Sequence, residues 1–276
     1  MKRAHVTVIG DDKSGVIARI CQFLFDAGGN IEELDQHVTE GLFTMHIEVS
    51  WPATGHTEED IRTGLEALGP ELGMDIRVRT AKEGPKRIAL LVTKEEHAPR
   101  ALLEAGLDAE IALMIGNHPD LAPLAKEFCV PFHHVDAADK KAHEAQVLAL
   151  LEGADIDLVV LARYMRILSP NFVWRFPHRI LNIHPSLLPA FPGAVPYRQA
   201  LQRGVKVAGV TAHLVTTDLD QGPIVAQEAF PITDEDTLAS VVAKGQALEG
   251  KTLVAAVEAW LSGLQVGWGR VASVLM

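Results

Sequence analysis

Residues 87–93 read RIALLVT, an unbroken apolar run of strand-forming side chains. Two runs of the same kind follow, AEIALMIG at 109–116 and DLVVLA at 157–162. Segments with helix-like patterns separate or follow these runs, at 97–106, 119–128 and 139–152. Strands that are apolar along their whole length are buried on both faces, and their alternation with helices is typical of parallel sheets. The pattern therefore predicts an α/β domain with a mostly parallel, doubly wound sheet.

The first 80 residues have a different pattern. Strand-like and helix-like runs follow one another in the order β-α-β-β-α-β, at 5–10, 15–29, 30–38, 42–50, 57–69 and 74–80. This order is that of a ferredoxin-like unit. We expect Ser14 to cap the first helix, and the second helix to begin at Thr57 with three acidic residues in its first turn.

A polar segment, AKEGPKR at 81–87, lies between the two patterns and contains Gly84-Pro85. We interpret it as a linker, so that a first domain covers 1–80 and a second domain covers 88–276. A chain of 276 residues has room for one small and one medium domain.

The composition is that of an ordinary globular protein, with 48% hydrophobic and 22% charged residues and a net charge of −11. The negative charge argues against a nucleic-acid partner held by phosphate contacts. No apolar stretch approaches the roughly 20 residues that cross a bilayer, and the first residues do not read as a signal peptide. We therefore expect a cytoplasmic protein. Cys21 and Cys129 give neither a disulfide framework nor zinc-binding spacing.

A candidate site lies in LNIHPSLLPAFPG at 181–193, where an apolar strand ends in polar groups. Asn182 and His184 are two residues apart, so their side chains share one face of the strand. Ligands of open α/β sheets bind beyond the carboxyl ends of the strands. The prolines that follow stiffen the loop, and an amide beside an imidazole suits a carbonyl that becomes an oxyanion.

A partner carboxylate is expected downstream. The segment GVTAHLVTTDLDQGPIVAQEAFPI at 209–232 reads as two strands joined by a loop that holds Asp218 and Asp220. An aspartate there could reach His184 and a water, and could move protons between them. The spacing leaves structural roles open for each of these residues: a strand-end cap, a core histidine and ordinary turn aspartates.

The sequence indicates the roles of the other histidines less strongly. His213, on the strand TAHLV, either supports the catalytic group from below or belongs to the core. His118, in IGNHPD at 115–120, either approaches the site or is a loop residue. His133 and His134 are adjacent on a strand and point to opposite faces, so they do not form a metal pair. We predict no metal site.

The stretch HVTVIGDDKSGVIARICQFLFDAGGNIEELDQHV, 5–38, resembles an ACT domain. The resemblance implies amino-acid binding between paired copies and regulation of an attached enzyme. Asp12, Gly15 and Asn30 are the candidate ligand residues, and an amino-acid effector and a homo-oligomer, a dimer or tetramer, are implied. A helix N-terminus does suit a carboxylate. The alternative is a capped helix with a solvated loop.

LNIHPSLLPAFPG, followed about 35 residues later by DLDQGPI, resembles the folate-dependent formyltransferase family over roughly 87–276. The resemblance implies that Asn182, His184 and Asp220 are the catalytic amide, imidazole and carboxylate. It favours Asp220 over Asp218 because Asp220 directly precedes the Gln-Gly-Pro turn.

LARYMRILS at 161–169 resembles the family's folate-binding segment. The resemblance implies that Met165, Arg166, Ile167 and Leu168 line a pterin pocket, largely through backbone groups. The alternative for this segment is a strand end with a solvated arginine pair.

An ACT-like domain before this catalytic domain is the arrangement of the family's hydrolytic branch. Family members that use a phosphorylated amine carry a glycine-rich loop after the first strand, but here LLVTKEEHAPRALLEAG at 90–106 has no glycine before Gly106 and has acidic Glu95-Glu96. The resemblance then implies hydrolysis of 10-formyltetrahydrofolate to formate and tetrahydrofolate without a cofactor. Such a reaction would supply formate for purine synthesis and balance one-carbon folate pools.

Two alternatives remain from the sequence. Pro185 stands where the hydrolytic members often have a second histidine, which leaves room for transfer to an amine acceptor of the glycinamide ribonucleotide type. A binding protein with an inactive catalytic domain would also carry these segments, although the intact Asn182, His184 and Asp220 argue against it.

Overall fold

Two units of the chain, Met1–Gly84 and Pro85–Met276, each make most of their contacts internally in the computed structural model. The structure describes residues 1–80, 84–266 and 272–274. Of the expected linker, 81–83 lies outside the described residues, and its last two residues, Lys86 and Arg87, already belong to the first strand of the second unit.

The first unit has an antiparallel sheet covered on one face by two helices. Its elements are β1 (Lys2–Asp11), α1 (Val16–Asp26), β2 (Asn30–Thr39), β3 (Leu42–Trp51), α2 (Glu58–Leu72) and β4 (Met74–Thr80). The strand order is β2-β3-β1-β4. Alternate residues of β1, namely Ala4, Val6 and Val8, are buried in the core with the apolar faces of the helices. The predicted β-α-β-β-α-β order is confirmed.

The two helices of this unit begin differently. The Thr57 side chain accepts a hydrogen bond from Asp60 N, and the Asp60 carboxylate accepts one from Thr57 N, which is a capping box at the predicted start of α2. The expectation that Ser14 caps α1 is wrong. Gly15 is the N-cap, in the left-handed region at φ 91°, and no side chain caps the helix. Glycine adopts this conformation without steric cost, so the helix begins only at Val16.

The second unit has a seven-stranded sheet in the order β11-β10-β9-β8-β5-β6-β7. Its elements are β5 (Lys86–Val92), α3 (His97–Glu104), β6 (Ala109–Gly116), a 3-10 turn (Pro119–Leu121), α4 (Ala122–Glu127), β7 (Phe132–His134), α5 (Lys140–Gly153), β8 (Leu158–Leu161), α6 (Pro170–Arg175), β9 (Ile180–His184), α7 (Pro196–Gln202), β10 (Val207–Leu214), β11 (Ile224–Pro231), α8 (Leu238–Leu261), β12 (Leu264–Val266) and β13 (Ala272–Val274). Strands β5 to β9 pair in parallel, and β10 and β11 add an antiparallel hairpin at one edge. The predicted α/β class with a mostly parallel sheet is confirmed.

The unbroken apolar runs have a direct structural reason. Along β5, Ile88 and Leu90 are buried in the core on one face of the sheet, whereas Ala89 and Leu91 are buried in the core on the other face. Both faces are therefore covered by helices, and every position from Ile88 to Val92 needs an apolar side chain. Within the described ranges, no helix is both long and apolar enough to cross a membrane.

Helix α8 approaches α7 closely where Gly245 faces Tyr197. A Cβ atom on Gly245 would overlap the Tyr197 hydroxyl and ring. Tyr197 is buried and its hydroxyl donates to Glu249 Oε1, so moving the ring to make room would break this hydrogen bond. The absence of a side chain at this position is what allows the two helices to pack against each other.

We predict that Gly245→Ala lowers the free energy of unfolding by about 1–3 kcal/mol, the usual cost of overpacking a core. The matched control is Gly153→Ala at the end of α5, where a Cβ would meet no atom within 4 Å. That variant should be unchanged or more stable by up to about 1 kcal/mol. Urea titration of both variants checks this, and equal stabilities would contradict the packing argument.

Candidate active site

A cavity of about 530 Å³ lies at the carboxyl ends of β8 and β9 in the second unit. Its wall is formed by the segment that follows β8, the end of β9, the loop between β10 and β11, the start of α7 and one face of α8. A concave site of this size, lined by apolar and a few polar groups, suits a small-molecule ligand.

Three residues predicted from the sequence to be catalytic meet in this cavity. Asn182 and His184 project from the same face of β9, and Asp220 projects from the loop between β10 and β11. The His184 Nδ1 atom lies 3.4 Å from Asp220 Oδ2, with both side chains buried. Asp218 also lines the cavity, but it is exposed.

The loop holds Asp220 by its backbone conformation. Asp220 has φ 54°, in the left-handed region that aspartate tolerates better than most side chains. Two residues later, a Cβ on Gly222 would overlap the carbonyl oxygen of Leu214, so glycine lets the loop close tightly on β10. The backbone N–H of Gly193 donates to Asp220 Oδ2 at 2.8 Å and fixes the carboxylate from the other side.

His184 has an acceptor at each ring nitrogen. Its Nε2 atom lies 3.1 Å from the carbonyl oxygen of Phe191. A carbonyl can only accept, so Nε2 carries the hydrogen in this arrangement. Nδ1 is then the nitrogen that can exchange a proton with Asp220.

The proline-rich loop after β9 is tied to β10. The Thr211 hydroxyl donates to the carbonyl of Ser186 at 2.7 Å and accepts from Leu188 N at 3.0 Å. Ser186 in turn donates its hydroxyl to the carbonyl of Ala190 at 2.6 Å. These bonds fix the path of the loop, which brings the Phe191 carbonyl to His184.

Asn182 is oriented by His213. The two residues lie opposite each other in the antiparallel pairing of β9 with β10, and Asn182 Nδ2 lies 3.1 Å from His213 Nε2. His213 Nδ1 lies 2.9 Å from the carbonyl of Leu214 and must donate to it, so Nε2 is the acceptor for the amide. Burial lowers the pKa of His213 below its ordinary value of 6.5, which favours the neutral ring that this hydrogen bond requires.

The predicted folate-binding segment lines the same cavity with Met165, Arg166, Ile167 and Leu168. Met165 and Ile167 are 64% and 62% exposed, which is unusual for large apolar side chains. The backbone there is irregular and is held from outside the segment. Met165 N donates to Thr93 Oγ1 at 3.0 Å, Ser169 N donates to Glu144 Oε1 at 2.8 Å, and the Tyr164 hydroxyl bonds to His143.

Other predicted residues lie elsewhere. His118 precedes the 3-10 turn and is not among the described residues that line the cavity. In the first unit, Asp12 and Gly15 follow the end of β1, where Asp11 pairs with Leu42. Asn30 pairs with Ser50 at the opposite end of the sheet. One copy of the unit therefore does not bring these three ligand candidates together.

Sequence reasoning missed a group of charged and polar residues in the cavity wall. Arg163, Tyr197, Gln246 and Glu249 line the cavity together with Glu95. Glu249 is fully buried on α8, although α8 otherwise buries mainly apolar and small residues there. An acidic residue on the buried face of an apolar helix was the signal that could have found it. In the ranges that the structure describes, no group of three or more His, Cys, Asp or Glu side chains could hold a metal ion.

Comparison with known proteins agrees with this architecture. A model of the formyl transferase family matches residues 86–257, and a model of the ACT domain matches residues 3–79. The formyltetrahydrofolate deformylase of Synechocystis sp. is 39% identical over 262 residues, which are 92% of this chain and 92% of that protein.

Solved structures give the same result. A formyltetrahydrofolate deformylase from Pseudomonas syringae pv. tomato superposes with a TM-score of 0.67 at 33% identity and covers 100% of this chain and 95% of its own. A glycinamide ribonucleotide transformylase from Symbiobacterium toebii has a TM-score of 0.67 at 35% identity, but it covers 71% of this chain and 96% of its own. With similarity that extends over both units, the chain belongs to the formyltetrahydrofolate deformylase family.

Proposed function

We propose that this chain hydrolyses 10-formyltetrahydrofolate to formate and tetrahydrofolate, with water as the acceptor of the formyl group. The observation that carries the proposal is one cavity that combines Asn182, His184 and Asp220 with the exposed apolar segment 165–168. The deformylases that resemble the chain over both units support the same reaction. The reaction needs no metal and no cofactor.

In this proposal the pterin ring lies against 165–168. The exposed side chains of Met165 and Ile167 give a flat aromatic ring an apolar surface, and the irregular backbone offers groups that can bond to its edge. A ring held there directs the formyl group into the part of the cavity lined by Asn182 and His184.

Asp220 and His184 act on the water. A carboxylate 3.4 Å from an imidazole nitrogen can pass a proton to it over a short path. Asp220 takes a proton from the water as the oxygen attacks the formyl carbon. The pair then returns a proton to the nitrogen that leaves, so the C–N bond breaks and formate and tetrahydrofolate are released.

Asn182 holds the oxyanion of the tetrahedral intermediate. His213 takes one hydrogen of its amide nitrogen, and the second hydrogen is available to the substrate oxygen. His213 is thus a positioning residue that fixes which end of the amide faces the substrate. His184 contributes its Nε2–H only when the oxyanion competes for it with the carbonyl of Phe191.

Transfer of the formyl group to an amine is the second candidate. It is favoured by Pro185 directly after His184 and by the similarity to a glycinamide ribonucleotide transformylase at 35% identity. The acidic loop after β5 argues against a phosphorylated acceptor, because Glu95 in the cavity wall would repel it.

The proposal also covers the effector, the assembly and the metabolic role of the chain. The ACT domain supports a small-molecule effector, for which we propose an amino acid bound between paired copies through Asp12, Gly15 and Asn30. The separation of these residues within one copy favours such pairing, hence a homo-oligomer. A cytoplasmic enzyme of this kind would supply formate to purine synthesis and balance one-carbon folate pools.

The reaction is tested by incubating the protein with 10-formyltetrahydrofolate in a buffer without amines and following formate and tetrahydrofolate. We expect equal amounts of both products, with a rate that does not change when glycinamide ribonucleotide is added. Release that requires the amine would identify a transferase. Binding of the folate without turnover would identify a regulator.

The carboxylate assignment is tested by Asp220→Asn. We expect turnover to fall about 100-fold or more, since a general base contributes on that scale, while the affinity for the folate stays close to wild type. Asp218→Asn is the matched control, because it removes the same charge from the same loop at an exposed position. Turnover that falls with Asp218→Asn and survives in Asp220→Asn would reverse the assignment.

A further inference from the structure

The cavity wall contains a guanidinium with one of its two-donor edges, Nε and Nη2, already bonded to a carboxylate of the same chain. Arg163 donates from Nε to Glu95 Oε2 at 3.2 Å and from Nη2 to Glu95 Oε1 at 3.1 Å. This two-bond geometry is the one in which arginine binds a free carboxylate or phosphate. Gln246 adds a third donor to Glu95 at 3.2 Å.

A second carboxylate holds the arginine from behind. Glu249 is fully buried, and its Oε2 atom lies 3.5 Å from Arg163 Nε and 2.8 Å from His97 Nε2. The Tyr197 hydroxyl donates to Glu249 Oε1 at 3.0 Å. Two glycines on α8 permit these contacts: Gly245 admits the Tyr197 ring, and Gly250 lets α8 approach α3, which carries His97.

The backbone conformation of Arg163 agrees with its bonds to Glu95. Arg163 has φ 62°, a left-handed conformation that most non-glycine residues avoid. Burial raises the pKa of Glu95, but the hydrogen bond and the charge of Arg163 outweigh this effect and lower it overall. The carboxylate is therefore ionised at neutral pH and keeps its bonds to the guanidinium.

The position of the Glu95–Arg163 pair in the fold indicates its function. Glu95 lies three residues after β5, just before α3 begins, at the carboxyl edge of the sheet. Positions between a strand and the following helix are where open α/β sheets bind phosphate groups. In this chain that place holds an acidic side chain, and both Glu95 and Arg163 face the cavity that contains His184 and Asp220.

We propose that Glu95 is an acceptor-selecting residue: its carboxylate occupies the binding edge of Arg163 and keeps phosphorylated amines out of the cavity, which leaves water as the acceptor. This inference rests on the proposed function. A phosphorylated acceptor would have to displace an internal carboxylate that is held by Arg163 and Gln246, whereas water needs no such exchange.

The inference is tested by the binding of inorganic phosphate, measured by isothermal titration calorimetry at constant ionic strength. Wild-type protein should bind phosphate weakly or not at all. In Glu95→Ala the guanidinium loses the carboxylate on its Nε–Nη2 edge and keeps only the contact with Glu249, and we expect the affinity to rise by at least about tenfold, as charge-assisted bonds to an anion would give. Glu96→Ala is the control, because Glu96 is an exposed acidic neighbour outside the cavity wall, and it should match wild type.

A second arm uses glycinamide ribonucleotide as the probe. We expect glycinamide ribonucleotide to bind to Glu95→Ala and to act as a competitive inhibitor of its formate release. The rates of wild type and Glu96→Ala should not change. If Glu95→Ala does not fold, Glu95→Gln removes the charge with less change in volume and is judged by the same criterion. The inference is overturned if wild type binds phosphate as tightly as the folded variant. It is also overturned if neither protein responds to phosphate or to glycinamide ribonucleotide.

The calorimetric arm does not depend on turnover. A wild-type protein that releases no formate in amine-free buffer refutes the proposed reaction. If Arg163 still does not bind phosphate after Glu95 is removed, only the proposed role of Glu95 is refuted.

Discussion

The antiparallel pairing of β9 with β10 sets the geometry of the candidate site. It places Asn182 opposite His213 and Thr211 opposite His184, so that one strand carries the candidate amide and imidazole and the other carries residues that fix their surroundings. His213 fixes the amide, and Thr211 anchors the proline-rich loop that carries the Phe191 carbonyl. The loop after β10 then folds back over Gly222 and brings Asp220 to His184. A shift of this register by one residue would turn these side chains to the other face of the sheet.

The rest of the second unit supports that pairing. The parallel strands β5, β6 and β8 are buried on both faces, which makes them a rigid base for the loops at their carboxyl ends. Those loops contribute Glu95, Arg163 and the segment 165–168, while α8 adds Glu249 beside Arg163. One side of the cavity is thus apolar and exposed, and another carries charged groups that are bonded to one another. This division suits a site that receives a planar folate and excludes a second charged substrate.

The sequence predicted the parts that depend on local periodicity. Unbroken apolar runs predicted the parallel sheet because both faces of each strand are buried, and the two-residue spacing of Asn182 and His184 predicted that both would face one cavity. It could not predict contacts that depend on strand register or helix packing. The bond between His213 and Asn182 follows from which residues of β9 and β10 lie opposite each other, and the contacts of Glu249 follow from the approach of two other helices. The predicted Ser14 cap of α1 was wrong for a local reason, since the left-handed conformation of Gly15 makes Gly15 the N-cap and the helix begins only at Val16.

Hydrolysis requires that water, rather than an amine, receives the formyl group. It is tested most directly by running one turnover of 10-formyltetrahydrofolate in water enriched in ¹⁸O and analysing the formate by mass spectrometry, with unlabelled formate incubated in parallel to measure exchange. We expect one ¹⁸O atom in each formate formed, because the attacking oxygen stays on the carbon when the C–N bond breaks. Formate without ¹⁸O, or a formyl group recovered on another molecule, would contradict hydrolysis by water.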